Sequence, residues 1–265
     1  MLGAVSAFKA YDIRGIAGED ITTDFSRRLG RAIVEFAQAT SIAVGRDIRS
    51  SGESLKAALI QGIVESGCTV VDLGIVPTGV VYRSTVDLNV DSAIAITASH
   101  NPPEYNGFKI VHKGLPVAGE DLQRLKAIYE SPDQGKANSP GTILSMSEYH
   151  HTVIDAIVQD VGPLARRVSV AVDSANAVPG PFIMELCDKL GVDLVDLNCT
   201  WDQRSPAHPA DPTRPENMIQ LSDLVANSDC EFGIGVDGDG DRIGVVDENG
   251  AVSYTHLTLP TKVYV

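Results

Sequence analysis

Cysteine is scarce in this sequence, and the few cysteines lie far apart. The chain has four of them, none in a CxxC pair: Cys68, Cys187, Cys199 and Cys230. This spacing argues against a zinc site, whose ligands usually come in close pairs, and against the disulfide framework of small secreted domains. Free thiols are typical of a reducing compartment, so we expect a cytoplasmic protein.

Basic residues are also in short supply. Lysine and arginine total 21 against 35 aspartates and glutamates, which gives a formal net charge of −14 at pH 7. Such a charge repels the polyphosphate backbone, so we exclude nucleic acid as a partner. A phosphate-bearing ligand would have to be small and held by local positive groups or by a metal ion.

Two further absences narrow the function. No apolar run approaches the roughly 20 residues that span a bilayer, so we expect no membrane partner. The sequence also lacks a P-loop and a GxGxxG loop between a strand and a helix, so nucleotide binding has no support.

Two parts of the chain share one pattern. Residues 41–74 and 168–198 each read as a strand, a helix and a strand, with runs rich in Val and Ile at the strand positions. Such runs predict strands buried on both faces of a sheet and joined by a crossover helix. The sequence therefore predicts an α/β fold, made of two mixed, mainly parallel α/β sandwich domains of similar βαβ topology.

Shorter patterns predict further elements and the domain boundaries. They are a helix over 24–38 capped by Thr23 or Asp24, a helix over 120–129, and strands over 92–97, 108–112, 232–236 and 243–246. A polar cluster at 131–142 is typical of a linker. We therefore divide the chain into residues 1–146, residues 147–252 and a tail, 253–265. The tail does not continue the α/β rhythm and is treated as foreign sequence.

The segment TASHNPPEYNGFK, residues 97–109, follows a predicted buried strand. Doubly wound folds place ligand-binding loops at the carboxyl ends of their strands, so we expect Ser99 at the mouth of a site. A serine beside His100 and ahead of Lys109 can accept a phosphoryl group, whose charge of about −1.5 to −2 needs cationic company. Lys109 is a candidate proton donor or acceptor. The alternative, a serine that only begins a turn, stays open on the residues alone.

A second loop, GVDGDGDR, brings three aspartates together. Asp237, Asp239 and Asp241 alternate with glycines, which lets the carboxylates converge on one point. An all-oxygen set with an open position for a phosphate oxygen favours Mg²⁺. An EF-hand is the main alternative, because Glu248 is twelfth from Asp237. Arg242 stands where that loop needs glycine, and the flanks read as strands.

Two other segments carry weaker signals. YDIRG contains Tyr11 and Arg14, and an arginine in such a place is most often a surface cation. AHPADPTRPEN has prolines three residues apart, which predicts a stiff extended loop. Its His208 either approaches a site or packs against the prolines, and we favour packing.

Taken in order, YDIRG, TASHNPPEYNGFK, HPxxPxxPEN and GVDGDGDR resemble the α-D-phosphohexomutase superfamily, in its phosphomannomutase/phosphoglucomutase branch. The resemblance implies that Ser99 is a phosphoserine and that Asp237, Asp239 and Asp241 bind Mg²⁺ together with a phosphoserine oxygen. It also implies catalytic roles for Arg14, His100 and Lys109, and substrate contacts for Tyr11 and Arg242.

The reaction implied by this resemblance interconverts hexose 6-phosphate and hexose 1-phosphate, with a hexose 1,6-bisphosphate as intermediate and activator. The family has four domains, and the matching motifs account for two. We therefore expect weak or no turnover from this chain alone, and self-association through the surface that meets the third domain. Two other functions stay open: a non-catalytic phosphosugar- or metal-binding module, and a phosphatase-like remnant.

Overall fold

A computed structural model describes residues 6–132, 137–202, 204 and 206–253 of the chain. It folds into two compact units, Met1–His150 and His151–Val265. The predicted boundary between residues 146 and 147 stays a prediction. In the predicted tail, Ser253 pairs with Val245, and residues 254–265 lie outside the described residues.

The first unit is an α/β unit with one sheet. Its helices are α1 (Thr23–Ala37), α2 (Gly52–Glu65), α3 (Thr78–Asp87) and α4 (Gly119–Glu130). Its strands are β1 (Ile13–Ile16), β2 (Ser41–Arg46), β3 (Thr69–Ile75), β4 (Ser92–Ile96), β5 (Tyr105–His112), β6 (Leu115–Pro116) and β7 (Ile143–Ser145).

The sheet of the first unit is mixed, in the order β1-β5-β4-β2-β3-β7, with β6 on β5. Strands β4, β2, β3 and the edge strand β7 run parallel, whereas β5 is antiparallel to both β4 and β1. All five residues of β4 are buried, as the uniformly apolar run predicts for a strand covered on both faces. The Ser99 loop therefore begins at the carboxyl end of a strand that is buried and paired on both sides.

Helix α1 lies against α2 with little space between their backbones. A Cβ added at Gly62 of α2 would lie 1.9 Å from the carbonyl oxygen of Arg27, so only glycine permits this approach. Phe25, Leu29 and Ile33 of α1 are buried in the core, and each contributes roughly 1.5–3 kcal/mol by leaving water. The predicted cap is wrong by one residue: Thr22 caps α1, because its Oγ1 accepts from the Phe25 amide at 3.1 Å.

The second unit repeats the strand–helix–strand pattern. Its helices are α5 (Tyr149–Val161, which begins just before the boundary), α6 (Pro179–Leu190) and α7 (Pro215–Ala226). Its strands are β8 (Ser169–Asp173), β9 (Asp193–Leu197), β10 (Phe232–Val236), β11 (Ile243–Val246) and β12 (Val252–Ser253). The sheet order is β12-β11-β10-β8-β9.

In this second sheet β9, β8 and β10 are parallel, and β10, β11 and β12 are antiparallel. Met218, Leu221 and Val225 of α7 cover one face of it and form a core with Ala171 and other apolar side chains. The α/β prediction is confirmed for both units, each with a mixed sheet and a βαβ crossover. None of the helices in the described part of the chain combines the length and apolar content that crossing a bilayer requires.

Candidate active site

The loop with Ser99 connects β4 to β5 in the first unit. Ser99 is 3% exposed and has φ = +53°, a left-handed conformation that side chains other than glycine rarely adopt. Its amide donates to Thr97 Oγ1 at 2.9 Å, and the Asn101 amide donates to the Ala98 carbonyl at 3.0 Å. The loop is therefore a tight and internally bonded turn, which holds Ser99 in one conformation.

Strand β1 places Arg14 against this loop. Arg14 lies opposite Gly107 of β5, and its Nη1 donates to Asn101 Oδ1 at 2.6 Å, while Nη2 pairs with Asp12. Glycine is needed at 107, because a Cβ there would lie 2.2 Å from the Ile13 carbonyl oxygen. Close pairing of β1 with β5 thus brings the Arg14 guanidinium to a residue two positions after Ser99.

Lys109 lies on the same sheet face as Arg14. It pairs with Ala95 of β4, and it follows Gly107, the partner of Arg14, by two residues. Side chains that alternate in this way share a face, and such diagonal neighbours are within reach of long side chains. His100 follows Ser99 directly and is half-buried, and Tyr11 is 80% exposed. The strand register thus supports a common position for the predicted residues Arg14 and Lys109 beside the Ser99 loop.

The acidic loop, residues 237–242, joins β10 to β11 in the second unit. Asp237 is fully buried, and its Oδ1 accepts from the amides of Asp241 at 2.9 Å and Arg242 at 3.1 Å. Gly240 has φ = +78°, which allows the sharp reversal that these contacts require. The loop is therefore shaped by one of its own carboxylates.

The three aspartates offer a plausible oxygen site for a cation. One carboxylate oxygen from each of Asp237, Asp239 and Asp241 lies within 4.8 Å of the others, with the first two residues buried and the third exposed. This all-carboxylate donor set, open on one side, fits Mg²⁺. Strands β10 and β11 flank the loop, so the EF-hand alternative, which requires helices, is wrong. Arg242 Nε lies 3.8 Å from Asp241 Oδ1.

Sequence reasoning favoured packing for His208 and missed its partner, the buried Asp173. His208 Nε2 lies 2.8 Å from Oδ2 of Asp173, which is 2% exposed and ends β8. This hydrogen bond, ahead of the opposing effect of burial, raises the pKa of His208 above its ordinary value. Ala210 lies two residues after His208, and its carbonyl accepts from the Gly238 amide. The segment of His208 therefore supports the acidic loop. The sequence did contain one indication of the His208–Asp173 contact: Asp173 stands at the carboxyl end of β8, the strand next to β10, and ligand-binding residues often lie at such strand ends.

Arg49 is the second residue without a predicted role. It follows β2 in the segment GRDIRSSG, and its guanidinium reaches the backbone of the Ser99 loop. No local pattern in the sequence connects Arg49 to a loop 50 residues later, so only the tertiary structure reveals the contact.

Two family profiles match the chain. The phosphoglucomutase/phosphomannomutase alpha/beta/alpha domain I covers residues 5–136, and domain II of the same family covers residues 148–250. The fold is thus that of an α/β protein whose two domains match domains I and II of one family. The chain belongs to the phosphoglucomutase/phosphomannomutase family, which confirms the resemblance seen in its motifs.

Individual relatives agree with this assignment. A phosphomannomutase/phosphoglucomutase from Pseudomonas aeruginosa is 39% identical over 253 residues, which cover 94% of this chain and 54% of that protein. A phosphoglucomutase/phosphomannomutase from Thermococcus kodakarensis is 36% identical over 254 residues, covering 92% and 55%. A crystal structure of a family protein from Burkholderia thailandensis superposes with a TM-score of 0.88 at 36% identity, covering 94% of this chain and 56% of that one. The chain spans about half the length of the curated relatives that it matches.

Proposed function

We propose that this chain carries the phosphoryl-transfer half of a phosphohexomutase. Ser99 serves as the phosphoryl carrier, and Arg14, His100 and Lys109 act on the transferred group. In the whole protein the reaction interconverts hexose 6-phosphate and hexose 1-phosphate through a hexose 1,6-bisphosphate. The substrate is a small phosphosugar and the location is the cytoplasm.

One observation carries the proposal: a serine lies in a tight, buried loop that Arg14 of β1 contacts, and Lys109 of the neighbouring strand β5 is on the same sheet face as Arg14. Arg14 donates to Asn101 of the Ser99 loop, and Lys109 shares its sheet face with Arg14. A phosphoserine bears about −1.5 to −2 charge, so cations are what such a group requires. The chain has a net charge of −14, which repels anions, so an anion at this loop requires cationic side chains close by.

The roles of these side chains follow from phosphoryl-transfer chemistry, which depends mainly on positioning and on neutralising charge. A sugar hydroxyl attacks the phosphorus of phosphoserine, and Ser99 Oγ leaves. Arg14 donates hydrogen bonds to the phosphoryl oxygens, and Lys109 takes or returns the proton at the reacting oxygens. His100, the residue after Ser99, is assigned to the same step. Tyr11, exposed next to β1, contacts the sugar, as does Arg242 in the second unit.

The proposal assigns Mg²⁺ to the acidic loop, where Asp237, Asp239 and Asp241 would hold it. A bound Mg²⁺ supplies Lewis-acid neutralisation of charge on a phosphoryl oxygen. The donor set supports this choice, because three carboxylates crowded into five residues repel one another unless a cation compensates them.

Intact-mass spectrometry of the purified chain tests the proposal. The chain is incubated with glucose 1,6-bisphosphate and Mg²⁺, and any added phosphate is located by peptide fragmentation. We expect one phosphate on Ser99, absent in Ser99→Ala and retained in Ser54→Ala. Ser54 is a matched control, since it is a serine of the same unit that bonds only to a local carbonyl of α2's first turn.

Two results would contradict the proposal. A phosphate that maps to another residue rules out Ser99 as the carrier. The second contradicting result is that Ser99 stays unphosphorylated in both proteins: this chain, and residues 1–252 fused to the C-terminal half of the Pseudomonas aeruginosa relative. Binding of the bisphosphate without phosphorylation in both forms would point to a non-catalytic phosphosugar-binding module.

A further inference from the structure

Arg49 makes a set of contacts that ordinary surface arginines do not make. Its Nη2 donates to the carbonyl oxygens of Ser99 at 2.8 Å and Asn101 at 2.6 Å. Its Nη1 donates to those of Pro102 at 2.7 Å and Tyr105 at 3.0 Å. One side chain therefore holds four carbonyls of the loop that contains the proposed carrier.

The remaining donor of Arg49 is fixed by Asp47. Nε donates to Asp47 Oδ2 at 3.2 Å, and the Arg49 amide donates to Oδ1 at 2.9 Å. Asp47 is 4% exposed, and its own amide donates to Ile96, the last residue of β4, at 3.0 Å. The guanidinium is thus oriented from the carboxyl ends of two adjacent strands, β2 and β4.

The donor count separates a structural role from a ligand-binding role. A guanidinium has five N–H bonds, and one from Nε, two from Nη1 and two from Nη2 are all engaged by protein acceptors. Arg49 therefore has no donor left for a phosphate or a sugar. Arg14 differs, because its guanidinium bonds to the side chains of Asn101 and Asp12 and not to carbonyls of the loop.

The Ser99 loop needs such support. The left-handed backbone of Ser99 is a strained state that persists only when the surroundings impose it. Four carbonyls turned toward one point also repel one another unless a cation lies among them. A second contact from the same segment reaches the other end of the loop, where fully buried Asn106 donates to Ser51 Oγ at 2.9 Å.

We propose that Arg49 is a positioning residue: it fixes the backbone of loop 99–105 and thereby sets the reactivity of Ser99, without touching the substrate. The consequence for reactivity rests on the proposed function. The mechanical part, that Arg49 holds the loop, does not. The two parts are therefore measured separately.

Arg49→Lys is the decisive variant, because it keeps the charge but offers three donors in place of a planar fork of five. The matched control is Arg31→Lys. Arg31 is a partly buried arginine of the same unit that pairs with Glu65 on the α1–α2 side. Asp47→Asn serves if Arg49→Lys does not fold, since it leaves Arg49 in place and removes only its charged anchor.

The first measurement is amide hydrogen exchange of peptides within 97–107. In Arg49→Lys these amides should exchange at least about tenfold faster than in the unsubstituted chain, with smaller changes elsewhere in the unit. Arg31→Lys should change them by less than about twofold. Unchanged exchange in 97–107 for Arg49→Lys would overturn the inference.

The second measurement is the rate of Ser99 phosphorylation by glucose 1,6-bisphosphate. We expect at least about a tenfold lower rate in Arg49→Lys, with the half-saturating bisphosphate concentration changed by less than about twofold, because a residue without free donors makes no contact with substrate. A rate equal to that of Arg31→Lys would overturn the effect on reactivity. If the unsubstituted chain and its fusion are not phosphorylated at all, the proposed function fails, and exchange alone decides the role of Arg49.

Discussion

The Ser99 loop and the acidic loop both begin at the carboxyl end of a central strand, yet they are held in different ways. The Ser99 loop has bonds of its own, and it is also held by side chains from elsewhere in the unit, with Arg49 on its carbonyls and Arg14 on Asn101. In the acidic loop the side-chain support comes from a residue of the loop itself, since the Asp237 carboxylate accepts two of the loop's own amides, and the contact with the segment of His208 is made by backbone atoms. In the first loop, shape and proposed chemistry belong to different residues. In the second, one residue serves both.

This difference has a consequence for mutation. Ser99 can be replaced without removing any of the contacts that shape its loop from outside. Asp237 cannot, because its removal deletes a candidate ligand and leaves two amides without their acceptor. Asp239 and Asp241 are therefore better probes of the cation site. The predictions below vary each loop and its supports separately.

The largest effect is expected from Asp239→Asn on cation binding. Asp239 is 1% exposed and contributes one of three clustered carboxylates. Its loss should weaken Mg²⁺ binding by more than about tenfold, the loss that even an outer partner of a metal ligand can cause. Isothermal titration with Mg²⁺ measures the affinity. Mg²⁺ at a hundred times its Kd should also stabilise the unsubstituted chain by about 2.7 kcal/mol, and the variant by much less.

Asp229→Asn is the matched control for charge. It removes one negative charge from the same unit at an exposed position outside the acidic loop. Equal Mg²⁺ affinities of Asp239→Asn and Asp229→Asn would show that the acidic loop is not the cation site.

Gly107→Ala should damage the Ser99 loop through its neighbouring strand. The added Cβ would meet the carbonyl oxygens of Ile13 at 2.2 Å and Thr97 at 3.1 Å, both backbone atoms that cannot rotate away. We expect the unit to lose about 1–3 kcal/mol of unfolding free energy, as overpacking typically costs. Because β1 must move away from β5, Arg14 should also leave Asn101, and Ser99 phosphorylation should slow.

Urea denaturation and the phosphorylation rate are the two measurements for this variant. Gly79→Ala is the control, since nothing lies within 4 Å of a Cβ there and the position is in helix α3. It should be neutral or slightly stabilising, by up to about 1 kcal/mol. A Gly107→Ala chain as stable and reactive as this control would refute the close β1–β5 pairing.

The sequence and the structure agree best where the pattern is regular. The 41–74 and 168–198 units and the strands at 232–236 and 243–246 follow from apolar runs, because strands buried on both faces leave a clear signal. Helix α7 begins inside the segment predicted as an extended proline loop, so that prediction is wrong for residues 215–217, where Pro215 stands at the helix start. Strand β7 has three exposed residues and no pattern to detect.

The site was partly legible for the same reason. Ser99 and the aspartates stand out because they are chemically conspicuous in short, dense segments. The residues that hold them do not. Arg49 acts on carbonyls 50 or more residues away, and His208 acts through Asp173, 35 residues earlier. Thr22, Thr23 and Asp24 are adjacent residues of types that can cap a helix, and only the backbone geometry selects Thr22. Long-range contacts between unremarkable residues leave no trace in local sequence.

The support beneath the acidic loop should depend on pH. The hydrogen bond to Asp173 raises the pKa of His208, so the folded state holds this proton more tightly than the unfolded state, whose His titrates near 6.5. The resulting stability is fully present below pH 6.5 and is lost as the pH rises through the raised pKa. We expect a loss of about 1 kcal/mol in the unfolding free energy, the usual net value of one hydrogen bond.

Urea denaturation at pH 6, 7 and 8 measures this dependence. In His208→Gln the decrease on going to pH 8 should be smaller, since the titrating group is gone, whereas His150→Gln, at a half-buried position of α5, should retain it. Equal pH dependence of the unsubstituted chain and His208→Gln would exclude the His208–Asp173 pair as its source.

Thr22→Ala should have the smallest effect and should act on neither loop. Its Oγ1 caps α1 at the Phe25 amide, and losing a cap of this kind costs about 1 kcal/mol. Urea denaturation should show this loss, while Ser99 phosphorylation and Mg²⁺ affinity stay unchanged. The reason is that the Thr22 hydroxyl bonds to the Phe25 amide, which belongs to neither the Ser99 loop nor the acidic loop. The variant is therefore a reference for Gly107→Ala and Arg49→Lys. If Thr22→Ala slows Ser99 phosphorylation as much as they do, at an equal loss of stability, their effect reflects a general destabilisation of the unit. An effect that Thr22→Ala lacks would be specific to the loop.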